Sequence, residues 1–99
     1  MAATAVTPPL GGAPIAVEAA QILGRPVVVR IERYEKDLHV ALMGASTDEI
    51  ASRDVAPGES SVVLSAPGAL AAAAHQVVAT YSRGTVTETL IRPITFRAP

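Results

Sequence analysis

Between Val77 and Phe96 the chain reads VVATYSRGTVTETLIRPITF, two runs rich in β-branched residues joined by Ser82-Arg83-Gly84. Branching at Cβ restricts these side chains against a helical turn and suits them to a pleated, half-buried surface. Two such runs with a short glycine-bearing joint predict neighbouring strands, with Gly84 in the left-handed conformation of a hairpin that carries a bulge. A second stretch repeats the message. From Val27 to Tyr34, Val27, Val29 and Ile31 point one way and Val28, Arg30 and Glu32 the other. Alternation of this kind commits the chain to sheets with one buried face.

The other elements are read around these two. Glu35-Lys36-Asp37 turns the chain, and Leu38, Val40 and Leu42 supply the next inward face. Gly44 to Glu49 reads as a loop and Ile50 to Val55 as a short, weak edge strand. In Ala56-Pro57-Gly58-Glu59, Pro then Gly occupy the two central positions of a type II turn, ahead of a strand from Val62 to Ser65. The consecutive alanines within Ala66–His75 favour a helical turn, because Ala has the highest helix propensity. The last strands are Gln76–Tyr81 and Thr85–Phe96. Pro93 puts part of the final strand at an edge or bulge, and the apolar pair Leu90-Ile91 suggests that its facing switches. Ile15–Leu23 supports two readings. Ile15, Ala19, Ile22 and Leu23 fit a helix, whereas Ile15, Val17 and Ala19 fit a strand. A strand over Ile15–Ala19 agrees better with the β-rich remainder of the chain.

Ninety-nine residues make one domain. The 49% hydrophobic content is mostly Ala, Val, Leu and Ile, with Tyr34, Tyr81 and Phe96 the only aromatics. Residues 1–14, with Pro8, Pro9, Pro14 and the Gly11-Gly12 pair, read as an extended N-terminal arm, and 15–99 as the folded domain. A tail or linker is the plain reading of the arm. The sharper one is a segment ordered against a partner, with Thr7, Pro8, Pro9 and Leu10 as candidate contacts. The formal charge of −1 leaves no electrostatic footprint for nucleic acid or an anionic membrane. No cysteine is present, which removes disulfides and thiolate metal sites. The opening residues lack the basic and apolar regions of a secretory signal, the fully apolar runs are far too short to span a bilayer, and no membrane insertion is expected.

The series of short strands, the Gly24–Ile31 stretch GRPVVVRI, the Pro57-Gly58 turn before the fifth strand and the closing hairpin resemble bacterial and phage immunoglobulin-like or fibronectin type III-like domains over Ile15–Phe96. The resemblance implies an all-β, antiparallel immunoglobulin-like sandwich of about seven short strands, with the helical turn before the last hairpin. It lacks the cysteine pair and core tryptophan of antibody-type domains.

Candidate chemistry is sparse. His39 and His75 could serve a metal or a proton transfer, but no third histidine or cysteine completes a common zinc set, and solvent-facing or locally bonded imidazoles fit better. Asp48, Glu49, Asp54 and Glu59 flank the weak fourth strand and could offer oxygens to calcium, yet no Asp-x-Asp-x-Asp-Gly loop is present and a solvated edge is the better reading. Neither a Gly-x-Ser-x-Gly elbow nor a phosphate loop occurs. The chain is therefore expected to be non-enzymatic, with no catalytic, cofactor or metal residues and no cofactor. Arg30, Glu32, Arg33, Glu35, Lys36 and Asp37 read as a solvated charged face, or as an interface stripe that fixes register with a partner.

Three functions remain open. One is an assembly module acting through protein–protein contacts, on the analogy of a phage virion accessory protein of the capsid-decoration type. Its partner would be a capsid or other assembly subunit, or itself, and its location the virion or an extracellular surface. Another is a spacer or adhesion domain of a larger secreted or cell-surface protein. The third is a small-ligand binder with a pocket between the sheets.

Overall fold

The computed structural model describes residues 13–44, 48–65 and 74–99. They form eight strands: β1 (Ile15–Ala16), β2 (Ala20–Ile22), β3 (Val27–Ile31), β4 (Lys36–Met43), β5 (Glu49–Asp54), β6 (Ser61–Leu64), β7 (Ala74–Arg83) and β8 (Val86–Arg97). Two sheets result, one of order β1-β3-β6 and one of order β2-β8-β7-β4-β5. All neighbours are antiparallel except β2 and β8, which run parallel, and the larger, mixed sheet curls toward a half-barrel. The all-β architecture is as expected.

One apolar core serves both sheets. It takes Ile15, Val27 and Val29 from β1 and β3, Val62 and Leu64 from β6, Leu38, Val40 and Leu42 from β4, and Val77, Ala79, Tyr81, Ile94 and Phe96 from the closing hairpin. Period two places these residues: in β3 and β6, buried and exposed positions alternate. Of the core residues read from the sequence, only Ile31 is half-buried, and it packs against the cluster's edge. Many small aliphatic contacts surround two large rings, those of Tyr81 and Phe96.

Several expectations need correction. The Ile15–Ala19 strand is instead two short strands in different sheets. Ile15 pairs with Ile31 in the smaller sheet, and Ala20 pairs with Thr95 in the larger. The residues between them carry the chain across the edge of the core, and Gly24 lies in a turn closed by Arg25 N–H on the Ile22 carbonyl (3.2 Å). The closing hairpin has no bulge. Arg83 pairs with Val86, so Gly84 and Thr85 alone make the turn, with Gly84 at φ +65° and Thr85 outside the positive range. That is the φ signature of a type II′ turn, whose twist matches that of the strands. The facing of β8 does not switch at Leu90-Ile91. Leu90 is half-buried, Ile91 exposed, and the alternation continues unbroken to Phe96.

The expected turn across Glu35–Asp37 does form, closed by the Leu38 N–H on the Glu35 carbonyl at 3.2 Å, and it lies at the very start of a strand. Lys36 and Asp37 already belong to β4, where a register shift between Lys36 and His39 makes a bulge with Asp37 at φ +58°. The Pro57-Gly58 turn does form, with Gly58 at φ +92° and Glu59 N–H bonded to the Ala56 carbonyl at 3.2 Å. Within the expected helical turn Ala66–His75, residues 66–73 lie outside the described ones, while Ala74 and His75 begin β7. Pro93 sits within a continuous β8, opposite Gln76 of β7. Counting from the Arg83/Val86 pair, the amide groups of even-numbered β8 residues face β7 and those of odd-numbered ones face outward. The proline nitrogen therefore points away from β7 and costs that ladder nothing.

Candidate functional site

Strand directions sort the loops between the two ends of the molecule. One end carries the β3–β4 connection (residues 32–35), the β5–β6 connection (55–60) and the Gly84-Thr85 turn. Pro14 lies there too. It is buried, and its carbonyl accepts from the N–H groups of Glu32 (2.8 Å) and Arg33 (3.1 Å). The sequence reading assigns Pro14 to the arm, whereas in the structure it is buried and bonded into the folded domain. Thr7, Pro8, Pro9 and Leu10, the candidate contacts, fall outside the described residues.

A polar network covers the same end. Arg33 Nε donates to Glu35 Oε2 at 2.7 Å, and an Arg83 guanidinium nitrogen reaches that oxygen at 3.4 Å. Arg83 also approaches Glu88 at 3.9 Å and lies over the Tyr81 ring, 5.8 Å from its centroid. Tyr81 faces Glu88 across the β7–β8 ladder, and its hydroxyl bonds that carboxylate. Burial first, then the hydrogen bond and the charge of Glu88, raise the Tyr81 phenol above its ordinary 10.0, against the opposing pull of Arg83. The Glu35 side chain is 17% exposed, so this part of the expected charged face is more enclosed than a solvated stripe. Arg30 fits the solvated reading better, pairing with Glu18 at 3.9 Å and Glu32 at 3.2 Å in the open.

Beside the network, the β4 bulge aims Asp37 at β7, where its Oδ2 accepts from the Ser82 hydroxyl at 2.9 Å. His39 sits opposite Asp54 on β5, with Nδ1 and Oδ1 2.7 Å apart. The Glu59 carboxylate caps the neighbouring turn, taking the Ala56 N–H at 2.8 Å and an Arg53 guanidinium nitrogen at 3.3 Å. The four acidic residues considered for calcium are thus not brought together. Asp48 and Glu49 stand at the far end of β5, whereas Asp54 and Glu59 are engaged with His39 and Arg53. Among the described residues no group of three or more His, Asp or Glu side chains could hold a metal ion.

His75 departs from a solvent-facing imidazole. It is buried on the inward phase of β7, with its ring edge-on to Phe96 and centroids 5.0 Å apart. Local sequence offers little sign of this, because Gln76 separates it from the apolar run and only the phase of Val77 and Ala79 points it inward.

No family model, curated protein or solved structure matches the chain. The geometry itself is a set of charged side chains paired around three connections at one end of the molecule, with Pro14 buried beside them.

Proposed function

We propose that the chain is an immunoglobulin-like, fibronectin type III-like domain that works as a non-enzymatic assembly module. A virion accessory protein of the decoration type fits that role. The strand order supports the fold reading. If β1 and β2 are two halves of a first strand, A and A′, the rest take the letters B, C, C′, E, F and G, and the sheets become A-B-E and A′-G-F-C-C′. Immunoglobulin-like sandwiches likewise keep G, F and C together and A, B and E together. Their corner tyrosine stands two residues before a core position of strand F, a place held here by His75 relative to Val77.

The observation that carries the assembly role is the anchoring of Pro14 at the loop-bearing end. Pro14 lies at the same end as the Arg33–Glu35–Arg83 network, so a partner that met the segment preceding it could meet these loops as well. A segment ordered on a neighbour recovers its entropy cost through contacts made there. Deleting residues 1–12, which spares Pro14, is expected to leave the thermal midpoint unchanged and weaken binding to the assembly that copurifies with the native protein. Equal binding by both forms would remove the arm from the mechanism and favour a spacer or adhesion domain of a larger protein.

A further inference from the structure

On one side the larger sheet ends in β2, a strand so short that it covers only part of the edge of β8. β2 pairs with Thr95, Phe96 and Arg97 of β8 and goes no further. Outward-facing amides belong to odd-numbered residues, as the Thr95 N–H bond to the Ala19 carbonyl (2.8 Å) confirms. Among the described residues, therefore, no backbone partner meets the outer N–H and C=O groups of Thr87, Thr89 and Ile91. Such an edge is a template for another strand. The other edges are better guarded. β6 has four residues, and β5 carries Glu49, Arg53 and Asp54 beside a register shift.

We propose that this edge of β8 pairs antiparallel with the same edge of a second copy of the chain, about a two-fold axis at Leu90. The register is set by the sequence Glu88-Thr89-Leu90-Ile91-Arg92. With Leu90 opposite Leu90 of the copy, Glu88 stands opposite Arg92 and Arg92 opposite Glu88. Both charge pairs then form on one face, flanking an apolar centre. Thr89 and Ile91 exchange backbone hydrogen bonds, and their side chains meet on the outer face, where Ile91 is 48% exposed. Thr87 N–H reaches the Pro93 carbonyl, and the nitrogen of Pro93, having no hydrogen, leaves no donor unmet. A slip of two residues either way puts a charged side chain opposite Leu90 and loses both pairs. Arg92 is available for the role, since it makes no ion pair among the described residues. Pairing of like strands about a two-fold closes on itself, so it yields a dimer with the two larger sheets joined into one and no open fibre.

This inference rests on the assembly reading for its use in the cell, but its test is separate. Sedimentation of the full chain is expected to show association that rises with concentration, in the roughly micromolar to millimolar range typical of a small interface. Concentration-dependent protection from hydrogen exchange is expected at the Thr89 and Ile91 amides. Glu88→Arg and Arg92→Glu should each weaken self-association by roughly tenfold, because both cross-strand pairs become repulsive. An equimolar mixture of the two variants should restore it. In the mixed dimer the introduced arginine faces the introduced glutamate, and the native Arg92 of one chain faces the native Glu88 of the other. A chain that stays monomeric at about 1 mM would overturn the pairing, as would folded variants that associate like the wild type or a mixture that restores nothing. Protection of Thr89 and Ile91 that does not depend on concentration would also overturn it, by showing the edge covered within one chain. If Glu88→Arg does not fold, Arg92→Glu and the exchange pattern decide alone. Arm-dependent binding to a larger assembly is read in the deletion experiment, whichever way these results fall.

Discussion

The middle of the molecule and its loop-bearing end are held together by different physics. In the middle, Val27, Val29, Leu38, Val40, Leu42, Leu64, Val77 and Phe96 are shut away from water in one apolar cluster, with the His75 ring edge-on to Phe96. Their contribution scales with buried area and fit, and depends little on salt or pH. At the end, Arg33, Glu35, Tyr81, Arg83 and Glu88 trade partial charges across a half-wet surface. Such pairs are individually weak and screened by salt. A region of this second kind can be altered at little cost to the stability of the domain.

The largest expected effect lies in the middle. Phe96→Ala should cost about 3–5 kcal/mol, because it leaves a cavity where the largest fully buried side chain stood. Denaturant unfolding at low and high salt would measure it, and a loss that shrank sharply with salt would break the contrast. Next comes the turn. Gly84→Ala forces a side chain into positive φ and should cost about 1–2 kcal/mol, although a Cβ there meets nothing within 4 Å. A neutral result would mean that the turn relaxes.

Tyr81→Phe is intermediate. It removes the bond to Glu88 and should cost about 1 kcal/mol near neutral pH. The raised phenol value also fixes the direction of the pH effect. Below pH 10 the folded chain keeps its neutral tyrosine and the full stabilisation, which is then lost as pH rises through the folded-state value. The wild type should therefore lose more stability than Tyr81→Phe in that alkaline window, and parallel losses would exclude Tyr81 as the titrating group. Asp54→Asn should be the smallest change. The Asp54 side chain is 92% exposed despite its 2.7 Å contact with His39, so thermal midpoints should be indistinguishable from wild type in high salt.

This contrast also explains what could be read from sequence. Facing in β3, β4 and β6 was legible because period two is a local property, and the middle is built from it. Gly58 and Gly84 were legible as turn positions because positive φ selects glycine. Choice of partner is not local. Nothing within Ile15–Leu23 says that its two halves belong to different sheets, since that depends on where β3 and β8 lie. Nor does Leu90-Ile91 reveal that Ile91 stays outside at an edge, because two adjacent apolar residues more often mark a change of facing. The polar network was missed for the same reason, since Arg83 lies 48 residues from Glu35 along the chain and meets it only through the fold.

The parallel pairing of β2 with β8 has a mechanical consequence. The first strands and the last one run side by side near the core's edge, tied by Thr95 N–H to the Ala19 carbonyl at 2.8 Å and Leu23 N–H to the Arg97 carbonyl at 2.9 Å. A pull applied between the two termini would load these bonds together, along the strand axis, in place of peeling them one by one. Resistance to tension would then depend on that short seam, and a proline placed at Leu23 or Thr95 should lower the rupture force more than it lowers equilibrium stability.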